Sequence, residues 1–293
     1  MLFTEIGQQL RAYRLESGLR AEEIAARLGV SRAALYRYEK GEVIKLDTIK
    51  RLAELLKISP LSLLGIGVEY YNRAIGYFER IRQVEETADQ ILQLFGPVCY
   101  LTTSEDYDSA VAEAFEEIAE HAGNERMQMR SVAEQVIGIL VARKRMYAQR
   151  RPGIISMVSV ASVRHFLDVG VAGTLPLSDR VRRICRQVAA TEVRNMAAMM
   201  EAEPMGLQVG LLVGAEPSTA FEVLRSRDRV TLAINMFRAD THPSAQTGVA
   251  MITGADEAVV AHQRVAESSW REALKGPAGA ARLRQLVAAA AEA

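Results

Sequence analysis

The strongest constraint on this chain lies in residues 21–41, where two short amphipathic stretches flank a single glycine. Ala21 to Leu28 carries Ile24, Ala25 and Leu28 on one side, Gly29 marks a tight turn, and Ser31 opens a second stretch ending at Gly41. Glycine fits the turn because it takes the left-handed conformation without a Cβ clash. Serine fits the start of a helix because its hydroxyl can accept from a free backbone N–H of the first turn. This punctuation reads as a helix, a three-residue turn and a second helix.

Three more helices are predicted around that pair. One runs from about Phe3 to Glu16 with Ile6, Leu10 and Tyr13 on its apolar stripe, and Ser17-Gly18 ends it. A fourth follows Leu46-Asp47 and packs Ile49, Leu52, Ala53 and Leu56; a fifth begins at Ser59-Pro60. Residues 1–66 therefore read as an all-α five-helix domain. A helix-turn-helix can lay one helix across a DNA backbone and the next in the major groove. In the third helix Leu35 and Tyr38 can face the core, which turns Arg32, Ala33, Tyr36 and Arg37 outward. Arginine can donate two parallel hydrogen bonds to guanine O6 and N7, and small Ala33 permits close approach to a thymine methyl.

The segments Leu19-Arg20-Ala21-Glu22-Glu23-Ile24-Ala25, Leu28-Gly29-Val30-Ser31, Tyr38-Glu39-Lys40-Gly41 and Leu52-Ala53-Glu54-Leu55-Leu56, with Ser59 and Leu63-Leu64, carry a resemblance. In type and spacing they resemble the XRE family of phage-repressor-type helix-turn-helix domains. The resemblance implies that Arg32, Ala33, Tyr36 and Arg37 face bases. It implies phosphate contacts from Arg14, Arg20, Ser31, Lys40 and Lys45, with Arg14 also paired to Glu39. Where the family usually opens its second helix with Gln, this chain has Ala21, so Arg20 or Lys45 is expected to replace a lost backbone contact. One such module buries only about 600–1,000 Å², which leads to the expectation of a homodimer on a double-stranded operator.

Charge qualifies that picture. The 293 residues hold 36 basic and 36 acidic side chains, so the formal net charge is zero. By segment, residues 1–66 carry +3, residues 67–134 carry −9 and residues 135–293 carry +6. A uniformly basic protein gripping phosphates by bulk charge is excluded; a mildly basic DNA-binding unit is not. The two cysteines, Cys99 and Cys185, form no disulfide framework or zinc spacing. The opening residues lack a signal-peptide core and no apolar run reaches a membrane span, so a cytoplasmic protein without membrane association is expected.

Residues 67–124 read as a helical linker or dimerisation region. Tyr71, Ile75, Phe78, Ile81, Val84, Ala88, Ile91 and Phe95 recur at steps of three and four, predicting one long helix from Val68 to Phe95. A second helix, Glu105 to Glu120, carries an acidic face expected to be solvated. Residues 125–293 read as an α/β domain with a mixed sheet. Strands are predicted at Met127–Val132, Ile154–Val163, Leu207–Val213 and Val249–Thr253, with a hairpin around Ser226-Arg227-Asp228. Helices are predicted at Glu134–Gln149, Ser178–Met200, Asp256–Leu274 and Ala280–Ala293.

This third segment is weakly similar to one half of a phospholipase D-like fold, through Gly248-Val249-Ala250-Met251-Ile252 and Ser269-Trp270-Arg271-Glu272-Ala273-Leu274. The catalytic His-x-Lys of that superfamily is missing, since Phe166-Leu167 follow His165 and Gln263-Arg264 follow His262. No catalytic residues, metal site or cofactor are expected, and the four histidines are scattered. Arg130, Arg164 and His165 sit near predicted strand ends, where α/β domains bind ligands, and are the candidate site for an anionic effector. The sequence therefore points to a dimeric DNA-binding regulator with a sensing domain. Its alternatives are a helix-turn-helix fused to a phospholipase-like enzyme, and an antitoxin or repressor whose third segment binds a protein.

Overall fold

A computed structural model describes residues 2–94, 96–214, 219–238 and 241–292. The first five elements are helices: α1 (Leu2–Ser17), α2 (Ala21–Leu28), α3 (Arg32–Glu39), α4 (Leu46–Leu56) and α5 (Pro60–Leu63). Ile6, Leu10, Ile24, Leu28, Leu35, Ile49 and Leu52 form their shared core. Gly7 lets α1 approach α3 closely, since a Cβ there would lie 2.5 Å from the Tyr38 carbonyl oxygen.

The rest of the chain builds a seven-stranded mixed sheet with helices on both faces. Its elements are β1 (Val68–Tyr71), α6 (Ala74–Glu85), β2 (Gln90–Leu94), α7 (Glu105–Glu120), α8 (Arg126–Arg150), β3 (Gly153–Ser159), α9 (Val160–Val169) and α10 (Asp179–Ala202). They continue through β4 (Leu207–Leu212), β5 (Phe221–Arg225), β6 (Val230–Ile234), β7 (Ala250–Thr253), α11 (Asp256–Glu272) and α12 (Gly276–Glu292). The strand order is β1-β7-β6-β5-β2-β3-β4. Strands β2, β3 and β4 run parallel, and every other neighbouring pair is antiparallel.

Period-2 alternation divides the sheet's side chains between two cores. One face sends Leu94, Met157, Phe221, Val223 and Leu232 against Val259 and Ala266 of α11. The other packs on α6 through α10 and α12, and its core runs without a break into that of the five N-terminal helices. The small helical unit is thus docked on the α/β body. No helix among the described residues is long and apolar enough to cross a membrane.

The main correction falls on residues 68–94. The expected long helix is confined to α6, and β1 and β2 flank it as members of the sheet. The stretch is built into the body and does not span it as a helical linker. Spacing alone misleads here because Tyr71 and Ile91 fit a helical stripe and also an alternating strand. The ladder decides: Tyr71 pairs with Ala250, and Ile91 lies between Ile154 and Leu224. Phe95, the end of the expected helix, lies outside the described residues, as does Ala293.

Two other expectations change. Met127–Val132 belongs to the first turns of α8, where Met127 is exposed and no neighbouring strand satisfies its backbone. Strand β3 stops at Ser159, whose hydroxyl accepts from Ser162 N–H at 3.0 Å and starts α9. The acidic face of α7 also does more than meet solvent. Asp108 pairs with Lys144 at 2.6 Å, Glu113 with Arg180 at 2.6 Å, and Glu116 with Arg130, tying α7 to α8 and α10.

Candidate nucleic-acid interface

The turn between α2 and α3 follows from three residues. Gly29 adopts φ 71°, Val30 N–H returns to the Ala25 carbonyl at 3.0 Å, and the Ser31 hydroxyl accepts from Ala34 N–H at 3.1 Å. Leu35 alone of α3 is fully buried, so it anchors the helix while the remainder stays accessible. Arg32, Ala33 and Arg37 are exposed, and Tyr36 is half-buried between them and the unit.

Both arginines of this face are held in place by neighbours that an anion can displace. Arg32 meets Glu22 at 2.8 Å and lies over the Tyr36 ring, 5.3 Å from its centroid. Arg37 donates to Glu42 at 3.0 Å. All four of these charged side chains are more than half exposed, and such pairs contribute about 0–1 kcal/mol. The guanidinium groups are therefore oriented without being consumed. Glu22 and Glu42 were not singled out by sequence reasoning; acids five to ten residues from a reading arginine are the signal that finds them.

The expected phosphate contacts divide. Lys40 and Lys45 are exposed and make no ion pair among the described residues. Arg20 is exposed too, although Glu23 accepts from its N–H at 2.8 Å and from its guanidinium at 3.1 Å. Those two contacts hold the Glu23 carboxyl below its ordinary range. Ser31 spends its lone pair on the cap and keeps its hydroxyl proton.

Arg14 differs from the rest. Its guanidinium binds Glu39 at 2.5 and 3.1 Å, with the two side chains only 14% and 5% exposed. That bidentate pair bolts α1 to α3 and leaves Arg14 as part of the frame. Arg14 is thus engaged by Glu39 within the unit and is not free for the expected phosphate contact.

Behind the recognition face, α1 rests on α6 through a polar seam that sequence reasoning missed. Arg80 meets Glu69 at 2.8 and 3.0 Å, Gln9 donates to Glu69 at 2.6 Å, and the Tyr71 hydroxyl donates to it at 2.8 Å. Burial works against the Glu69 charge, yet Arg80, Gln9 and Tyr71 together hold its carboxyl below the usual range. Tyr13 stacks on Tyr71 at 5.3 Å, and Glu16 accepts from Asn72 N–H at 2.7 Å. At Gly76 a Cβ would lie 2.5 Å from a Glu16 carboxylate oxygen, so only glycine allows this approach. A buried Gln9 beside Ile6, Leu10 and Tyr13 was the available hint.

The three candidate effector residues do not converge. Arg130 is a helical residue of α8 bound to Glu116, whereas Arg164 and His165 are exposed on α9. Helix α8 packs on α6 and α7, and α9 on α10, α12 and β3. Among the described residues no group of three or more His, Cys, Asp or Glu is arranged to hold a metal ion. Both cysteines are buried, and burial pushes the Cys99 thiol up to about 12.

Residues 5–63 match a family model described as a helix-turn-helix domain. The match covers the five-helix unit, and it supports a DNA-binding role for that unit. No curated protein and no solved structure matches the chain.

Proposed function

We propose that the chain is a sequence-specific transcriptional regulator of the XRE type, acting in the cytoplasm as a homodimer on a double-stranded operator. The observation that carries this reading is the outward face of α3. Arg32, Ala33, Tyr36 and Arg37 are accessible on a short helix whose other side is fixed by Leu35 and the Arg14–Glu39 pair. On this reading α3 enters the major groove, Arg32 and Arg37 read base edges, and Ser31, Lys40, Lys45 and Arg20 meet phosphates. The α/β body has no catalytic step and serves as the sensing and pairing part. The seam supports that division, because α6 touches α1 on one side and the sheet on the other. A shift of α6 changes the direction in which α3 points.

Selection of bound sequences from randomised duplex DNA, with the full chain as bait, tests the proposal. The expected product is a palindrome with half-sites one or more helical turns apart, at about 34–36 Å per turn. Recovery of unenriched sequence after several rounds would overturn it.

A further inference from the structure

Across the middle of the sheet, one row of side chains is polar where the surroundings are apolar. Gln93 of β2 is in register with Glu222 of β5 on one side and Ser156 of β3 on the other. Register puts the three side chains on one face with Cβ atoms about 5 Å apart. Tyr77 of α6 and Arg143 of α8 lie near enough to this row to act on Glu222 electrostatically. Glu222, Gln93 and Tyr77 are 1% exposed and Ser156 is fully buried. Each nevertheless keeps a polar atom without a partner: Glu222 Oε2, Gln93 Oε1, Ser156 Oγ and the Tyr77 hydroxyl. Buried polar atoms are nearly always paired, so four orphans in one place call for a missing partner.

The chemistry of that partner follows from what is already taken. Arg143 donates twice to Glu85, at 2.8 and 2.7 Å, which commits those N–H donors to Glu85. Lys144, next on α8, is held by Asp108. Glu222 forms no ion pair among the described residues, so two carboxylates share one guanidinium. Burial pushes Glu222 up to about 7, with Arg143 and a hydrogen bond from the Gln93 side chain opposing the shift and Glu85 adding to it. The two strongest orphans, a carboxylate oxygen and an amide oxygen, are acceptors; the two hydroxyls serve either way. Aromatic rings border the row. Phe237 lies 5.8 Å from Tyr77, and the Arg143 guanidinium stacks 5.7 Å above Phe78.

We propose that this cluster binds a small organic cation with several N–H donors, of the alkylammonium or guanidinium class. Glu222 is its counter-charge, and Gln93, Ser156 and Tyr77 are its hydrogen-bond partners. In naming the effector class the inference rests on the sensing role proposed above, and it replaces the anion site expected at Arg130, Arg164 and His165. Helix α6 links the two functions, because it carries Tyr77 toward the sheet and Gly76, Glu79 and Arg80 toward α1. The ligand-free alternative is a protonated Glu222 donating to Gln93 Oε1, which leaves the Ser156 and Tyr77 hydroxyls unexplained.

The full chain, without DNA, is melted at pH 8 in the presence of 10 mM methylammonium, ethanolammonium, putrescine or agmatine. Sodium chloride at equal ionic strength and sodium propionate are the controls. At least one cation should raise the melting temperature by about 3 °C, and neither control should. Glu222→Gln should melt cooperatively and lose the shift, while Tyr77→Phe should weaken the apparent affinity at least threefold. If Glu222→Gln does not fold, Tyr77→Phe and Ser156→Ala carry the test, and a full shift in both overturns the site. Absence of any shift in the wild type, or equal shifts in the wild type and Glu222→Gln, also overturns it in favour of the protonated pair. No DNA enters the measurement, so its failure is separable from a failed sequence selection.

Discussion

The recognition face and the interior of the α/β body are built from the same ion pairs and use them in opposite ways. On the face, Arg32–Glu22 and Arg37–Glu42 are more than half exposed on both sides. In the interior, Arg80–Glu69 and Arg143–Glu85 are at most 5% exposed, and each pair is bidentate. Water and salt screen the first kind, so a nucleic acid can exchange with it at little cost. The second kind has no solvent to fall back on, so neither partner can leave without stranding a charge. Burial, more than residue identity, separates a grip that can be traded from a joint that cannot.

The largest effect expected from this contrast is at the joint. Arg143→Ala leaves Glu85 charged, buried and unpaired, and should lower unfolding stability by about 3–5 kcal/mol in urea titrations. Replacing both partners, Arg143→Met with Glu85→Leu, should recover most of the loss, since the desolvation of both charges disappears. A double variant as unstable as the single one would mean that the pair supports the fold through its shape, and the contrast with the recognition face would weaken.

Glu222 supplies the next test, because it is buried without an ion pair. Its carboxyl titrates near 7 in the folded chain and near 4.5 as an ordinary carboxylate. The folded state therefore binds the extra proton between those values, and stability falls as pH rises through that window. The loss should reach on the order of 3 kcal/mol or slightly more by pH 8, at about 1.4 kcal/mol per unit over about 2.5 units. His242 has its pKa lowered by burial, so it changes stability in the opposite direction. The useful quantity is then the difference between wild type and Glu222→Gln at each pH. Parallel stability curves from pH 5 to 8 would remove Glu222 as the source.

How much of this was legible in the sequence depends on whether local or distant contacts decide each element. The five N-terminal helices could be read because Gly18, Gly29, Ser31 and Ser59-Pro60 punctuate them locally. The Arg14–Glu39 pair was legible only through family resemblance, and it is a frame contact instead of a phosphate contact. Residues 68–94 were misread because their strands exist only by pairing with β7, β3 and β5, the nearest of which lies some sixty residues away in sequence. The polar row escaped for the same reason. Glu222, Gln93 and Ser156 are unremarkable singly and become a cluster only when the register brings them together. Arg130, Arg164 and His165 read as strand-end residues in the sequence, yet all three are helical.

Back on the recognition face, Arg37→Ala removes a side chain that the fold does not need. Binding to the selected operator should weaken by about 1–3 kcal/mol, with base preference relaxed at one position of each half-site. The melting temperature should stay within about 1 °C of wild type, because the lost pair with Glu42 is exposed. Gel-shift titration against operator variants reads both consequences. Unchanged affinity and preference would take Arg37 off the reading face and leave Arg32 as its arginine.

The smallest effect is the most discriminating for the idea of an exchangeable grip. Glu42→Ala deletes the partner of Arg37 and keeps the arginine. If the pair only orients Arg37, folding stability should change by less than about 0.5 kcal/mol. DNA affinity should rise by roughly two- to fivefold at low salt, because the arginine no longer has to leave a carboxylate and one repelling charge is gone. The gain should shrink as salt increases, since both the pair and the repulsion are screened within about 10 Å at 0.1 M. A fall in affinity would mean that Glu42 positions Arg37 for a particular base, making the exposed pair a structural joint after all. Titrations at two salt concentrations separate these outcomes, because lost positioning persists at high salt whereas lost repulsion fades.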